Sequence, residues 1–402
     1  MSVNRWRYLD DDEGEQRWYY FGSDGKAMKS NDKLTSSDLK TINGRKYAFD
    51  DEGRMLYGWI DENDPSLVLD AAEEGDWRTS RYYFGEENDG SAADGWRQLH
   101  VTDEDGDEHD YWFWFEDGKK CIDAKKTING RTYSFDTTDG HMLTEWAAAT
   151  SSTITPDTEK VKYLDENGVQ MKARWFWAVP SEDYLKSDYD EDEYSWWYAQ
   201  NSGTIVKDQV KRLNGKKYAF DKYGRMLTDF VQENNGHVEQ YGKAEDLELD
   251  DLMKAKLDNL YYFSSDEKHD CAMKRGYVKV DLDDDNGVQF WFDNNGLGHT
   301  GYQKKIDKFT VSGIVLKASL NDTDDQYAGV AVKPGAKDEE WVIADNFDGL
   351  QYGKKLADGS YVLINKSGFV QKNKKNLKDS ETELYYETDA NGYVVSVSNE
   401  KK

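Results

Sequence analysis

The sequence predicts an all-β chain, a solenoid of stacked β-hairpin repeats with acidic loop insertions and a degenerate C-terminal cap. Three observations predict it. The segments INGRKYAFDDEGRML (42–56), INGRTYSFDTTDGHML (128–143) and LNGKKYAFDKYGRML (213–227) are one cassette used three times, with Gly44, Gly130 and Gly215 spaced 86 and 85 residues apart. Counted back from each tip glycine, apolar residues fall at minus six and minus four: Tyr19 and Phe21, Tyr47 and Phe49, Tyr218 and Phe220, Phe290 and Phe292, Val362 and Ile364. That is the period of a strand. Tips such as SDG, DEG, KYG and NNG supply Gly with Asn or Asp, the residues that tolerate the positive φ of a tight turn.

The elements follow in order. Before each cassette stands a more aromatic version, RWYYFGSDG (17–25), YWFWFEDG (111–118) and SWWYAQNSG (195–203). After each comes a third version, RYYFGEENDG (81–90), VKYLDENG (161–168) and LYYFSSDEKHD (260–270). Three super-repeats of about 85 residues result, at 1–100, 101–180 and 181–280, followed by a degenerate repeat and capping region at 281–402. The fourth copy begins with VQFWFDNNG (288–296) and continues through YVLINKSG (361–368) and YYETDANG (385–392). Asn43-Gly44, Asn129-Gly130 and Asn214-Gly215 read as turns that enter the first strand of each cassette. A second strand is expected just past the tip glycine, carrying Met28, Met55, Met142, Met171 and Met226. One such hairpin cannot bury its aromatic face alone, so successive hairpins must stack. Between them lie acidic insertions at 61–76, 102–110, 149–160 and 179–194, and only 243–259 has a helical look.

Charge narrows the function. Of 402 residues, 52 are Lys or Arg and 80 are Asp or Glu, a formal charge of −28. This excludes ordinary nucleic-acid binding, which needs a basic surface to neutralise phosphates, and it repels anionic lipid. With 14 Trp, 27 Tyr and 15 Phe the chain is far from the aromatic-poor composition of a disordered protein, and its core is expected to be aromatic. No apolar run reaches the roughly 18 residues of a membrane span, so no membrane insertion is expected. The start, MSVNRWRYLDDDEGE, lacks the basic and apolar regions of a signal peptide, as a trimmed exported chain also would. Cys121 and Cys271 are expected as two unpaired, semi-buried thiols.

WYYFGSDGKAM (18–28) and INGRKYAFDDEGRMLYGW (42–59) resemble the cell-wall-binding repeat family, which includes choline-binding modules and the glucan-binding repeats of Gram-positive surface proteins and clostridial toxins. The resemblance extends, in strong and weak copies, over residues 15–300. It implies a solenoid of hairpins, an exported chain and non-catalytic binding repeats that need no cofactor. In the choline-binding branch, cages form between adjacent hairpins from a Trp that follows Gly, aromatics of the first strand and often Met. The Gly-Trp element is intact at Gly58-Trp59 and Gly95-Trp96. It is altered at Glu145-Trp146 and Arg174-Trp175, then at Asp229-Phe230, Gly276-Tyr277 and Gly301-Tyr302. Trp18, Tyr82, Trp112, Trp196 and Trp197 are candidates for further cage walls, with Met28, Met55, Met142 and Met171 in support. The 23 residues from Trp59 to Tyr82, filled with acidic loop, depart from the family's short spacing.

A quaternary ammonium over a Trp or Tyr face gains about 0.5–2 kcal/mol, and flat sugar faces stack on the same rings. The same rings are also the natural core of such a solenoid, and for each aromatic both roles stand open. No metal is expected: DLDDDNG (281–287) places Asn286 and Phe292 where an EF-hand loop needs Gly and Glu. No catalysis is expected either, since the six histidines are scattered and no HExxH, GxSxG, Walker or Cys-His signature occurs. The expected function is a non-catalytic, exported surface-binding array that attaches to cell-wall polymer, choline or glycan through inter-hairpin aromatic sites. The alternative is an adhesin-like protein whose inserted loops bind a host protein such as an immunoglobulin, with repetition giving multivalency.

Overall fold

Asn43 and Gly44 take φ of +49° and +82°, the two left-handed residues that a type I′ turn demands. They fold Lys40–Ile42 onto Arg45–Tyr47, pairing Ile42 with Arg45 and Lys40 with Tyr47. Asn129-Gly130 and Asn214-Gly215 do the same for Lys126–Ile128 on Arg131–Tyr133 and for Gln209–Leu213 on Lys216–Phe220. The Asn-Gly pair is thus the hairpin tip itself.

The strand expected past the tip glycine is shorter than the sequence suggests. It makes single bridges, Phe49 to Met55 and Phe135 to Met142, before the chain starts the next hairpin. The strand that carries the Gly-Trp element pairs forward instead. Gly58–Ile60 pairs with Tyr82–Phe84, Gly95–Thr102 with Glu108–Glu116, Glu145–Ala148 with Val161–Leu164, and Arg174–Ala178 with Ser195–Ala199. The physical reason lies in the turn after each hairpin, which a side chain closes. At Asp50, Oδ1 accepts from the N–H groups of Glu52 and Arg54 at 3.1 and 2.7 Å, while Oδ2 accepts from Arg54 Nε at 2.6 Å. Asp165, Asp221, Asp293, Asn365 and Asp389 accept from the residues two and four further on in the same way. Much of the acidic charge is therefore turn-forming.

The structure, a computed structural model, describes residues 3–30, 33–66, 77–103, 105–265, 271–283, 285–318, 327–331, 361–378 and 383–402. Parts of the 61–76 insertion, of the 260–270 unit and of the C-terminal region at 319–326 and 332–360 lie outside them. Among described residues the chain is all-β apart from Lys186–Asp190, Leu249–Ala255 and a single turn at Ala244–Asp246. Leu249 and Leu252 are buried there, in the stretch with helical character. Neither Cys121 nor Cys271 is in a disulfide; Cys271 is buried, and burial pushes the half-buried Cys121 thiol up to about 11.

Two compact units divide the chain, Met1–Ile205 and Val206–Lys402. Each is a series of hairpins. The first unit opens with Arg5–Asp10 on Gln16–Phe21 and continues through the pairs given above up to Ser195–Ala199, and the second opens with Gln209–Leu213 on Lys216–Phe220. In the second, Asp229–Asn234 lies between His237–Gly242 and Leu260–Phe263; further pairs are Gly276–Val280 with Val288–Phe292, Gly301–Gln303 with Lys308–Val311, and Tyr327–Ala331 with Tyr361–Asn365. Tyr385–Thr388 then lies between Leu377–Lys378 and Val394–Ser398.

Successive rungs are stitched by backbone. Two residues past the turn glycine, an N–H donates to a carbonyl of the preceding rung: Met55 to Trp18 at 2.8 Å, Ala92 to Lys46 at 2.8 Å, Met142 to Trp112 at 2.7 Å, Gln170 to Thr132 at 2.8 Å. One residue later the N–H returns to its own rung, as Met28 does to Tyr20 and Met171 to Tyr163. The methionines singled out in the sequence thus hold two different positions. Met55 and Met142 reach into the stack; Met28 and Met171 close their own hairpin.

The close approach of rungs sets the turn residue. At Gly140, φ is +80° and an added Cβ would stand 2.9 Å from the Cys121 carbonyl oxygen and 2.8 Å from Lys120 Cδ, whereas at Gly44, φ +82°, nothing lies within 4 Å. Gly44→Ala is expected to cost about 1–2 kcal/mol through the left-handed backbone alone. Gly140→Ala adds about 1–3 kcal/mol of overpacking. Thermal or denaturant unfolding of the two variants checks the order; equal losses would contradict it.

Candidate functional site

Alternation along Arg5–Asp10 and Gln16–Phe21 sets Trp6 opposite Tyr20 and Tyr8 opposite Trp18 on one face. The next rung brings Tyr47 and Phe49 against that face. Trp6 stands at the centre: its ring centroid lies 6.4 Å from Trp18, 5.2 Å from Tyr20, 4.9 Å from Tyr47 and 5.8 Å from Phe49, with interplanar angles of 89°, 70°, 67° and 33°. Met28 packs beside it and Met55 lies in the buried floor with Phe49.

The same nest recurs about Trp96. Its ring lies 6.3 Å from Trp112, 5.3 Å from Trp114, 4.9 Å from Tyr133 and 5.8 Å from Phe135, at 84°, 71°, 66° and 35°. Cys121 and Met142 pack here in place of the two methionines. Both nests are built from two adjacent rungs, with a buried Phe beneath and half-buried Trp walls. Trp112 is 42% exposed. The walls carry polar edges: the Trp18 indole N–H donates to Asn88 Oδ1 and that of Trp114 to Glu116 Oε1, each at 3.3 Å. Lys126 holds the Glu116 carboxyl below its ordinary value, and the Trp114 indole contributes.

The intervening Trp residues have their neighbourhoods filled. Trp59 meets Tyr83 at 4.9 Å, Phe113 at 5.3 Å and Phe115 at 6.0 Å. Trp77, from the end of the insertion after Trp59, closes over Phe113 at 6.0 Å and Tyr111 at 5.8 Å, its indole N–H donating to the Thr102 carbonyl. Trp146 meets Trp197 at 4.6 Å, Tyr163 at 5.1 Å, Phe176 at 5.8 Å and Tyr184 at 6.1 Å. Tyr184 also comes from an insertion and is fully buried. The inserted loops thus return an aromatic to the stack.

The candidate residues therefore separate. Trp18, Trp96 and Trp112 line the two nests and Trp146 is buried, while Trp59, ringed by Tyr83, Phe113 and Phe115, is partly buried as Trp96 is. Trp175 meets Tyr198 at 5.1 Å and 71°, as Trp96 meets Trp114. Trp196 stands beside the exposed Trp177, which in turn stacks on Tyr194. Tyr82 and Trp197, expected as walls, are core residues with 1% and 0% exposure. Tyr83, not Tyr82, faces Trp59. Trp6, Tyr47 and Tyr133 are nest residues absent from the sequence-derived set. Arg5-Trp6 repeats the pattern of Arg174-Trp175 and could have revealed the first.

No family model matches the chain. Over 243 residues, 56% of this chain, it is 27% identical to glucosyltransferase-S of Streptococcus mutans, and the match spans 15% of that relative's length. Similar solved structures include CbpJ of Streptococcus pneumoniae, with TM-score 0.44 and 17% identity over 79% of this chain and 97% of that one. Choline-binding protein F of Streptococcus pneumoniae, solved with a peptidoglycan analogue, gives 0.39 and 17% over 97% and 99%. The choline-binding domain of CbpL of Streptococcus pneumoniae gives 0.28 and 15% over 57% and 88%. The chain is similar to streptococcal choline-binding proteins.

Beside the Trp146 hairpin lies a buried charge of another kind. Lys162, 2% exposed, donates from Nζ to the Ala124 carbonyl at 2.7 Å. Burial, helped by Lys125, brings its ammonium down from the ordinary 10.5 to about 8. Because the folded value is the lower one, the unfolded chain binds more protons between the two, and stability rises with pH in that window. The unaltered chain should gain in melting temperature from about pH 8 to about pH 10, and Lys162→Met should lack that gain. Parallel pH profiles for the two chains would contradict the assignment.

Proposed function

We propose that this chain is a non-catalytic, surface-located binding array that attaches to bacterial cell-wall polymer through its open aromatic nests, taking the choline-type quaternary ammonium groups displayed there. The observation that carries this reading is the duplicated nest. Two sets of four centroid distances about Trp6 and Trp96 agree pair by pair within 0.1 Å, on rungs 90 residues apart. Perpendicular ring faces offer a cation several quadrupoles at once. The net charge of −28 draws cations toward the surface.

The decisive experiment is titration with choline and retention on immobilised choline. Saturable binding at millimolar ligand is expected. Trp96→Ala should remove one class of site and leave the other unchanged, and Trp6→Ala/Trp96→Ala should abolish retention while far-UV dichroism is preserved. Each lost ring should weaken its own site by about tenfold. A folded chain that retains glucan and ignores choline would shift the ligand to glycan; one that binds neither would overturn the proposal.

A second reading has its own observation. Trp177 and Tyr194, 47% and 51% exposed, stack at 6.0 Å where the acidic 179–194 insertion rejoins the hairpin. This surface suits a host protein with a basic face. Replacing the insertion with a short linker should abolish capture of such a partner and spare choline retention.

A further inference from the structure

The rung of Trp59 contains a charge that the rungs of Trp6 and Trp96 lack. Lys120 stands two residues past the turn glycine Gly118, the position of Met55 and Met142 in their rungs. Its N–H donates to the Arg81 carbonyl at 2.8 Å, the rung-to-rung stitch, which carries its side chain inward. It is 1% exposed. The ammonium Nζ lies 5.3 Å from the Trp59 ring centre and donates to the carbonyls of Trp77 at 2.6 Å and Arg78 at 3.3 Å. Both carbonyls belong to the insertion that separates Trp59 from Tyr82.

An ammonium withdrawn from water is costly unless the protein replaces the lost solvation. Here an indole face and two carbonyl dipoles replace it. The second unit holds a parallel case. Lys308, 8% exposed, places Nζ 5.5 Å from the Tyr277 ring and 4.4 Å from that of Phe369. Tyr277 follows Gly276 as Trp59 follows Gly58. The Tyr277 and Phe369 rings themselves are 47% and 46% exposed, so Lys308 backs an open face, whereas Lys120 lies inside its rung.

We propose that Lys120 is a built-in cation that occupies the Trp59 site and closes it to outside ammonium ligands. The proposal rests on the reading that these aromatic faces accept ammonium groups. Truncating Lys120 would turn that rung into a receptor for a small quaternary ammonium, with Trp59 as its face and the Trp77 and Arg78 carbonyls at its edge.

The test is titration with tetramethylammonium of the unaltered chain, of Lys120→Ala, and of Lys120→Met, which refills the space without charge. Lys120→Ala should bind one more probe per chain than the parent, and Lys120→Met should not. The extra site should persist when Trp6→Ala/Trp96→Ala removes the open nests. It should prefer tetramethylammonium to tert-butanol, a neutral molecule of the same heavy-atom number, by about tenfold, the factor a desolvated cation–π contact supplies. A folded Lys120→Ala chain that binds no more than the parent overturns the proposal, whatever the open nests do. A parent that binds nothing, with a Lys120→Ala chain that binds one probe, overturns the open-nest reading and leaves this one standing. If Lys120→Ala is unstable, tetramethylammonium chloride must raise its melting temperature above that in sodium chloride at equal ionic strength; no rise overturns the proposal.

Discussion

The stack depends on one backbone hydrogen bond made again and again, from the residue two past each turn glycine to a strand carbonyl of the rung before. A hairpin of three to five residue pairs has too little ladder to stand alone in water. The stitch adds a neighbour, and it forces the neighbour close. At 2.7–2.9 Å from nitrogen to oxygen, the backbone of one turn rides on the side chain after the previous turn. A Cβ there would enter that side chain or the backbone beside it, as at Gly140. The turn is in turn held by an aspartate whose carboxylate replaces the missing ladder. Acid, glycine and stitch are one device, which is why a chain with 80 acids can fold into closely spaced rungs.

That device fixes what each rung can do. The residue at the stitch points into the interface between rungs, so its identity decides whether the interface is apolar, charged or roomy. Met55 and Met142 leave the Trp6 and Trp96 nests with apolar floors and half-open walls. Lys120 places an ammonium under Trp59. The inserted loops act on the same interfaces from outside, since Trp77 and Tyr184 fold back over the Trp59 and Trp146 rungs. A long insertion thus hands an aromatic back to the stack it left, Trp77 to Tyr111 and Phe113 and Tyr184 to Trp146.

The fold was legible because its signals are local. Period-two aromatics, Asn-Gly tips and an Asp three residues before a Gly each specify a turn or a strand without help from distant residues. Pairing was less legible, since the Gly-Trp strand can pair backward past its own turn or forward to the next aromatic strand. A carboxylate closes each turn, and the strand past it keeps only one bridge at Met55 and Met142 and two at Met226–Leu227. Pleat parity was within reach: Trp197 stands six residues before Gly203, the inward position in the other rungs, and it is fully buried. Trp6 was harder to find, because Arg5 stands where glycine marks the element elsewhere. The left-handed residue has moved one place back, to Asn4 with φ +48°. Lys120 could not be read as a cage occupant at all. Its partners Trp59, Trp77 and Arg78 are 42–61 residues away in sequence and meet it only through the stack.

Charge and aromaticity then work together. An array with a net charge of −28 concentrates cations of every kind near its surface, so attraction alone selects nothing. On the proposed function, selection comes from rings that reward a desolvated ammonium and from the absence of a competing internal one. A small hydrated ion loses its water shell on entering an apolar nest, whereas a methylated ammonium has little to lose and presents methyl groups to the indole faces. An internal lysine at the same face is tethered, which makes its local concentration far higher than that of any free ligand. The contrast between Trp59, with Lys120 across its ring, and Trp96, with Met142 in the floor beneath, is therefore a contrast in availability between rings of the same chemistry.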